Sequence, residues 1–366
     1  MTTPPPSTNG PVIAGYFSNW QDSYADKEIH FPANECIDGK ADSWDDQGNN
    51  LYGNFKQFYL LKQRYRHLKV SISIGGWTWS KNFGGVVCDS EKRQRFVESS
   101  VKLVSDFGLD GIDIDWEYPK NDKEALHYVH LLYDIRIALD KYQEECGQLS
   151  QPRLLLTVAV PCGPENYRKL RLADMEPYVD LFYLMAYDYA GSWDEKTGHQ
   201  AAMFGGALNT EQAVNDYLKF VPSRKLVVGL PMYGRGFSDT DGPDSPYNGV
   251  PKGTWEEGQF DYRDLPKPGA TEYYDHQKIA SWSYDSNTRE FISYDNPQAI
   301  AAKCNYVQQR QLGGCMFWEL SGDQHHHNPR NLVNTVYRSF DGQIDQITNH
   351  LDYPKSQFDN LRNYMK

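Results

Sequence analysis

The segment Asp110–Pro119 reads DGIDIDWEYP and spaces Asp113, Asp115 and Glu117 two residues apart. On a β-strand alternate side chains share a face, so these three acids project together while Ile112, Ile114 and Trp116 project the other way. Like charges a few ångströms apart repel, and protonating at least one of them relieves the repulsion. Such a group titrates as a unit. A carboxylic acid kept neutral near neutral pH is what general acid catalysis needs for protonating a leaving group. The flanking isoleucines speak against a solvated acidic loop, and the lack of a supporting histidine speaks against metal binding by the three acids.

The strand that would present these acids is one of seven short apolar runs: Val12–Phe17, Lys69–Gly75, Gly111–Trp116, Leu154–Val160, Leu181–Tyr187, Lys225–Pro231 and Gly314–Trp318. The longest clean run is Leu154–Val160, interrupted only by Thr157. Helical patterns lie between several runs. Ser90 is the expected cap of a helix with Phe96, Val97, Val101, Val104 and Phe107 on one face, ended by Gly108. Leu126, Val129, Leu132, Ile135 and Leu139 mark the face of another. Runs too apolar to be half-solvated, each followed by a helix, predict an α/β fold with a parallel sheet closed as a barrel. From Tyr233 to Tyr294 the chain turns rich in Gly, Pro, Asp and Tyr, which predicts a small insertion containing β-like pieces such as EFISY. Ser18–Asn50 holds no apolar run long enough for a strand, although an eight-stranded barrel expects its second strand there. No internal repeat is present.

The chain has 366 residues, 37 Lys+Arg against 49 Asp+Glu, and a formal charge of -12. An acidic balance without a basic run gives neither nucleic acid nor an anionic membrane an electrostatic footprint. No apolar stretch approaches the length of a membrane span. The start, MTTPPPSTNGP, has neither the basic n-region nor the apolar h-region of a secretory signal. Six scattered cysteines without a CxxC pair read as incidental thiols rather than a zinc site, redox motif or disulfide framework. His325, His326 and His327 read as an exposed loop, because adjacent residues do not converge on one ion. No metal and no cofactor are expected. An aromatic share of 14%, with 26 Tyr and 9 Trp, suits a neutral ligand built of rings.

DGIDIDWEYP resembles the DxxDxDxE signature of glycoside hydrolase family 18, the chitinases, and ISIGGW at Ile72–Trp77 resembles that family's SxGG marker. The similarity continues through MAYDYAGSWD (Met185–Asp194), GLPMYGRGF (Gly229–Phe237), SYD (Ser293–Asp295) and GGCMFWEL (Gly313–Leu320). The closing SQFDNLRNYM resembles the tail of fungal members. This resemblance implies a TIM (β/α)8 barrel with an α+β insertion domain. On that division residues 1–232 and 295–340 form the barrel, 233–294 the insertion and 341–366 a C-terminal extension.

The resemblance further implies endo- or exo-acting hydrolysis of β-1,4-linked N-acetylglucosamine with retention, the substrate's own acetamido group replacing an enzyme nucleophile. Glu117 matches the proton donor that later acts as base, Asp115 the acid that orients the acetamido group, and Asp113 the buried partner sharing a proton with Asp115. Tyr187 matches the hydroxyl that bonds the acetamido oxygen, Asp188 a sugar-binding carboxylate, and Trp318 the indole floor under the distorted sugar. Tyr16 and Ser73 match hydroxyls that support Asp113, while Met185, Arg235, Trp77 and Trp193 match cleft contacts. The implied partner is chitin or a chitooligosaccharide, bound by a monomer. Family members are commonly extracellular, whereas a start without a signal sequence fits a cytoplasmic or unconventionally exported protein. A non-catalytic chitin-binding lectin and an endo-N-acetylglucosaminidase are the alternatives. The intact Glu117 argues against the first, and the insertion after Tyr233 favours chitin over the glycoprotein substrates of the second.

Overall fold

The computed structural model of the chain describes residues 10–17 and 46–365. Six strands come first in the chain: β1 (Val12–Gly15), β2 (Ser71–Gly75), β3 (Gly111–Asp115), β4 (Leu155–Pro161), β5 (Leu181–Met185) and β6 (Leu226–Pro231). Five more follow closely: β7 (Tyr233–Phe237), β8 (Gln259–Asp261), β9 (Thr271–Asp275), β10 (Ala280–Asp285) and β11 (Glu290–Tyr294). The last is β12 (Gly314–Trp318).

β1 to β6 and β12 make one parallel sheet in the order β1-β12-β6-β5-β4-β3-β2. All seven apolar runs of the sequence are therefore strands of a single sheet. Side chains alternate across it. Ile112, Ile114, Leu156, Val158, Val160, Phe182 and Leu184 pack outward into the main core, beneath the helices. On the concave side Leu181, Val227 and Met316 form a smaller cluster with Tyr16, Tyr183 and Tyr187. The expectation for Ser18–Asn50 falls mostly outside the described residues, and the part that is described, 46–50, contains no strand.

Four helices surround the first strands: α1 (Gly53–Arg64), α2 (Phe83–Val87), α3 (Ser90–Phe107) and α4 (Asp122–Glu145). The cap of α3 is Asp89 rather than Ser90. The Asp89 carboxylate accepts the N–H groups of Glu91 and Lys92, and Ser90 is already the first helical residue. Gly108 closes α3 in the left-handed region, φ 70°, as the sequence leads one to expect. In α4 Val129, Leu132, Ile135 and Leu139 are buried and Leu126 is half-buried.

Between Tyr233 and Tyr294 the strands form a separate antiparallel sheet, in the order β8-β7-β11-β10-β9. EFISY is β11. The regular elements of this segment are strands and one 3-10 turn, Tyr262–Asp264, with no α-helix, since its Gly- and Pro-rich links favour tight turns between short strands. Because β7 begins two residues after β6 ends, the antiparallel sheet starts at the carboxyl edge of the parallel one.

The C-terminal segment crosses the opposite end of β3. His350 N–H donates to Asp110 Oδ1 at 2.8 Å and the Tyr353 hydroxyl donates to Leu109 O at 2.9 Å. No helix among the described residues is long and apolar enough to cross a membrane. Among the same residues no group of His, Cys, Asp and Glu is arranged to hold a metal ion. His325–His327 are exposed.

Candidate active site

β3 carries Asp113 and Asp115 on the concave face of the sheet, each 4% exposed, and the chain then delivers Glu117 half-buried just past the strand. Three hydroxyls converge on Asp113. Tyr16 and Ser73 donate to Oδ2 at 2.8 Å each, and Thr157 donates to Oδ1 at 2.6 Å. They arrive from the middles of β2 and β4, which flank β3, and from the end of β1, at the other edge of the sheet. Burial pushes the Asp113 carboxyl above its ordinary range, and the three donors pull it back.

Asp115 is treated differently. Its Oδ1 is buried and finds no hydrogen-bond donor among the described residues. Burial, then the charges of Glu117 and Asp113, hold its carboxyl well above the usual range. Of the two neighbouring acids, Asp113 with its three hydroxyl donors is the better seat for the charge, and Asp115, whose buried Oδ1 has none, the better seat for a proton. Glu117 is also raised, first by burial and then by the charge of Asp188, against hydrogen bonds from the Tyr118 hydroxyl and the Trp77 amide.

The turn after β2 grips the end of β3. Gly75 sits at φ 127°, and a Cβ there would lie 1.9 Å from the Asp115 carbonyl oxygen. Only glycine permits that approach. The next amide, Gly76 N–H, donates to the same oxygen at 2.7 Å. Ser80 then accepts the Glu117 N–H at 2.8 Å, so the backbone of Glu117 is fixed although the strand has ended.

The facing wall comes from β5 and β7. Tyr187 follows β5, and its hydroxyl is raised by burial and by the charges of Asp115, Asp188 and Glu117, all of which it faces. Asp188 adopts φ 58° and accepts hydrogen bonds from the Tyr233 hydroxyl at 2.7 Å and Arg235 Nε at 2.8 Å. The Arg235 guanidinium lies 5.0 Å from the centre of the Trp193 ring. Trp318, ending β12, packs 5.2 Å from the Tyr16 ring. Trp77 and Trp193 are 78% and 58% exposed, large apolar faces left open where a ligand would stack.

The structure thus joins Tyr16, Ser73, Asp113, Asp115, Glu117, Tyr187, Asp188, Arg235, Trp193, Trp318 and the Trp77 amide into one connected set. Met185 closes β5 two residues before Tyr187 and is half-buried. Thr157, Ser80, Tyr118 and Tyr233 complete the set and were not singled out for it by sequence. Thr157 had a signal, as the lone hydroxyl in an apolar run. Tyr233 had a weaker one, alternating with Arg235. Ser80, in an irregular turn, had none. Among the described residues no lysine, arginine or histidine hydrogen-bonds Asp113, Asp115 or Glu117, so the acid cluster is a device for holding a proton rather than an ion-pair network.

Comparison with known proteins gives one consistent answer. The sequence profile described as glycosyl hydrolases family 18 matches residues 12–323. The chain is 42% identical over 367 residues to Endochitinase 1 of Metarhizium robertsii, covering 98% of this chain and 82% of that one. It is 42% identical over 352 residues to Chitinase 1 of Aphanocladium album, covering 94% and 80% respectively. Among solved structures, the catalytic domain of psychrophilic chitinase B from Arthrobacter TAD20 superposes with a TM-score of 0.78 at 26% identity, covering 92% of this chain and 96% of that one. A Class V chitinase from Nicotiana tobaccum, solved in complex with NAG4, gives 0.70 at 25% identity over 81% and 89%.

Proposed function

Because the chain belongs to the glycosyl hydrolases of family 18 and is a chitinase, we propose that it cleaves β-1,4-linked N-acetylglucosamine chains with retention, using the substrate's acetamido oxygen as nucleophile. The observation that carries this reading is the asymmetry of the acid pair: Asp113 holds three donors, Asp115 Oδ1 holds none, and Glu117 stands next in line. A second carboxylate on the opposite face of the sugar, as a two-carboxylate mechanism requires, is not offered by three acids projecting from one strand.

In the proposed reaction Glu117 gives its proton to the glycosidic oxygen as the bond to C1 breaks. Asp115 accepts the acetamido N–H and turns the carbonyl oxygen toward C1, where it forms the new bond. The Tyr187 hydroxyl donates to that carbonyl oxygen as charge develops, an electrostatic contribution made in a water-poor site. Water then attacks C1, its proton passes to Glu117, and the acetamido group is released. Two inversions leave the β-configuration. Holding the carbonyl within reach replaces an enzyme nucleophile by proximity.

Trp318 supports the sugar at the cleavage point, Met185 lines its side, and Trp77, Trp193, Asp188 and Arg235 contact sugars on either side. A complete eight-stranded barrel over 1–232 and 295–340 positions these residues, with 233–294 as the cleft wall and 341–366 as an extension. Action at internal bonds or chain ends, as an extracellular monomer, follows the habit of the family. Hydrolysis of a chitin tetramer followed by proton NMR tests the reading. β-Anomeric products from the tetramer, with no release of N-glycans from a glycoprotein, are expected; α-anomers first, or N-glycan release alone, would overturn it.

A further inference from the structure

Thr157 is the one polar residue in the most apolar strand of the sheet. Its neighbours Leu156 and Val158 are fully buried on the outer face, and Thr157 itself is 1% exposed on the inner one. A β-branched apolar side chain of the same size would fill that space without a hydroxyl to satisfy. The hydroxyl present instead donates to Asp113 Oδ1 at 2.6 Å, the oxygen that Tyr16 and Ser73 leave untouched, since both of them donate to Oδ2.

That division decides how the pair shares its proton. With donors on both oxygens, neither oxygen of Asp113 is the natural seat for a proton. Asp115, with a bare buried Oδ1, is. Among the described residues the groups around Asp113 are hydroxyls or acids: Tyr16 at the end of β1, Ser73 on β2, Asp115 on β3, Thr157 on β4 and Tyr183 on β5, with Tyr128 of α4 behind the strand. Among the described residues no positive charge competes with the hydroxyls in stabilising the anion, so each donor counts.

We propose that Thr157 is a positioning residue for the acid pair: it completes the donor set of Asp113, keeps that carboxylate ionised and leaves the shared proton on Asp115, ready to turn toward the substrate. The catalytic meaning rests on the chitinase reading above, but the proton placement does not. The test is therefore run on two readouts in the full chain: NMR titration of the aspartate carboxyl resonances, and the pH dependence of kcat and KM on a chitobiose glycoside.

Thr157→Val keeps the shape and removes the hydroxyl, Thr157→Ala removes it with less bulk, and Thr157→Ser retains it. In Thr157→Val and Thr157→Ala the Asp113 carboxyl takes up a proton at higher pH, by about one unit. In the same two variants kcat falls about tenfold while KM changes by less than about twofold, the signature of an interaction made for the transition state. Thr157→Ser keeps the wild-type titration and rate. Should Thr157→Val fail to fold, Thr157→Ala carries the same readout with no added volume. An unchanged Asp113 titration in the alanine variant, or a serine variant displaced as far as the alanine one, overturns the inference. A displaced titration in the valine and alanine variants, with no turnover of chitobiose glycoside by the folded wild type, would leave the proton placement standing and remove the chitinase reading.

Discussion

β3 buries acids at both of its ends and treats them in opposite ways. At the amino end Asp110, 2% exposed, accepts the N–H groups of Val70 and His350 and faces the Lys62 ammonium at 2.9 Å. Lys62 is 0% exposed and spends its other donors on Gly108 O and the Tyr353 hydroxyl. Every charge there is answered. At the carboxyl end, among the described residues, Asp113 and Glu117 are answered by hydroxyls and amides alone, and Oδ1 of Asp115 by nothing. A buried acid beside a cation secures a fold, whereas a buried acid with neither cation nor donor is driven to hold a proton, and a held proton can be delivered. Barrels place stability at the amino end of their strands and chemistry at the carboxyl end, and here one strand of five residues shows both.

Breaking each end in turn should separate the two roles. Glu117→Gln should lower kcat about a thousandfold without lowering the midpoint of chemical denaturation, because a general acid contributes to rate and its raised carboxyl adds no stability at neutral pH. Lys62→Met leaves the Asp110 carboxylate buried without its cation. Denaturant titration should show a loss of about 3 to 5 kcal/mol, with kcat per folded molecule unchanged. A rate loss in Lys62→Met beyond its unfolded fraction would merge the two ends into one unit.

Asp115→Asn should lose about a hundredfold in kcat and yet not be less stable. The sign follows from linkage. Asp115 is held well above 3.8 in the folded chain, so its contribution is fully present below 3.8 and is lost as pH rises toward the folded value. The asparagine variant has no such loss, so its stability relative to the wild type should grow as pH rises above 3.8 and level off beyond the folded value. A gap that stays flat over the same window would mean that Asp115 is ionised in the folded state. The smallest effect belongs to the rim: Trp193→Ala removes a stacking face and the partner of Arg235, and should raise KM for a chitin hexamer about fivefold with kcat within about twofold.

The difference between the two ends also explains what the sequence discloses. The carboxyl-end acids are visible because a strand repeats every second residue, so Asp113, Asp115 and Glu117 announce a shared face by spacing alone. The seven strands are visible for a related reason, as runs that only a doubly covered sheet can bury. The amino-end cluster has no such periodicity. Asp110 meets His350 across 240 residues of chain and Lys62 arrives from α1, and nothing local in either segment marks the encounter. The same holds for Ser80, whose bond to Glu117 depends on the course of an irregular turn. The cap of α3 is a one-residue matter: Asp89 and Ser90 both suit the position, and the longer reach of the carboxylate to two amides favours Asp89. Thr157 was visible as an anomaly in an apolar run, but its target became clear only when β4 was set beside β3.

The most direct measurement is release of fluorophore from a chitobiose glycoside by the purified chain and by Glu117→Gln, with circular dichroism of both. Turnover by the wild type that falls about a thousandfold in a variant of unchanged fold is the expected result. Equal turnover in both, or none from a folded wild type, would contradict the assignment of Glu117 as the proton donor of a chitin-cleaving site.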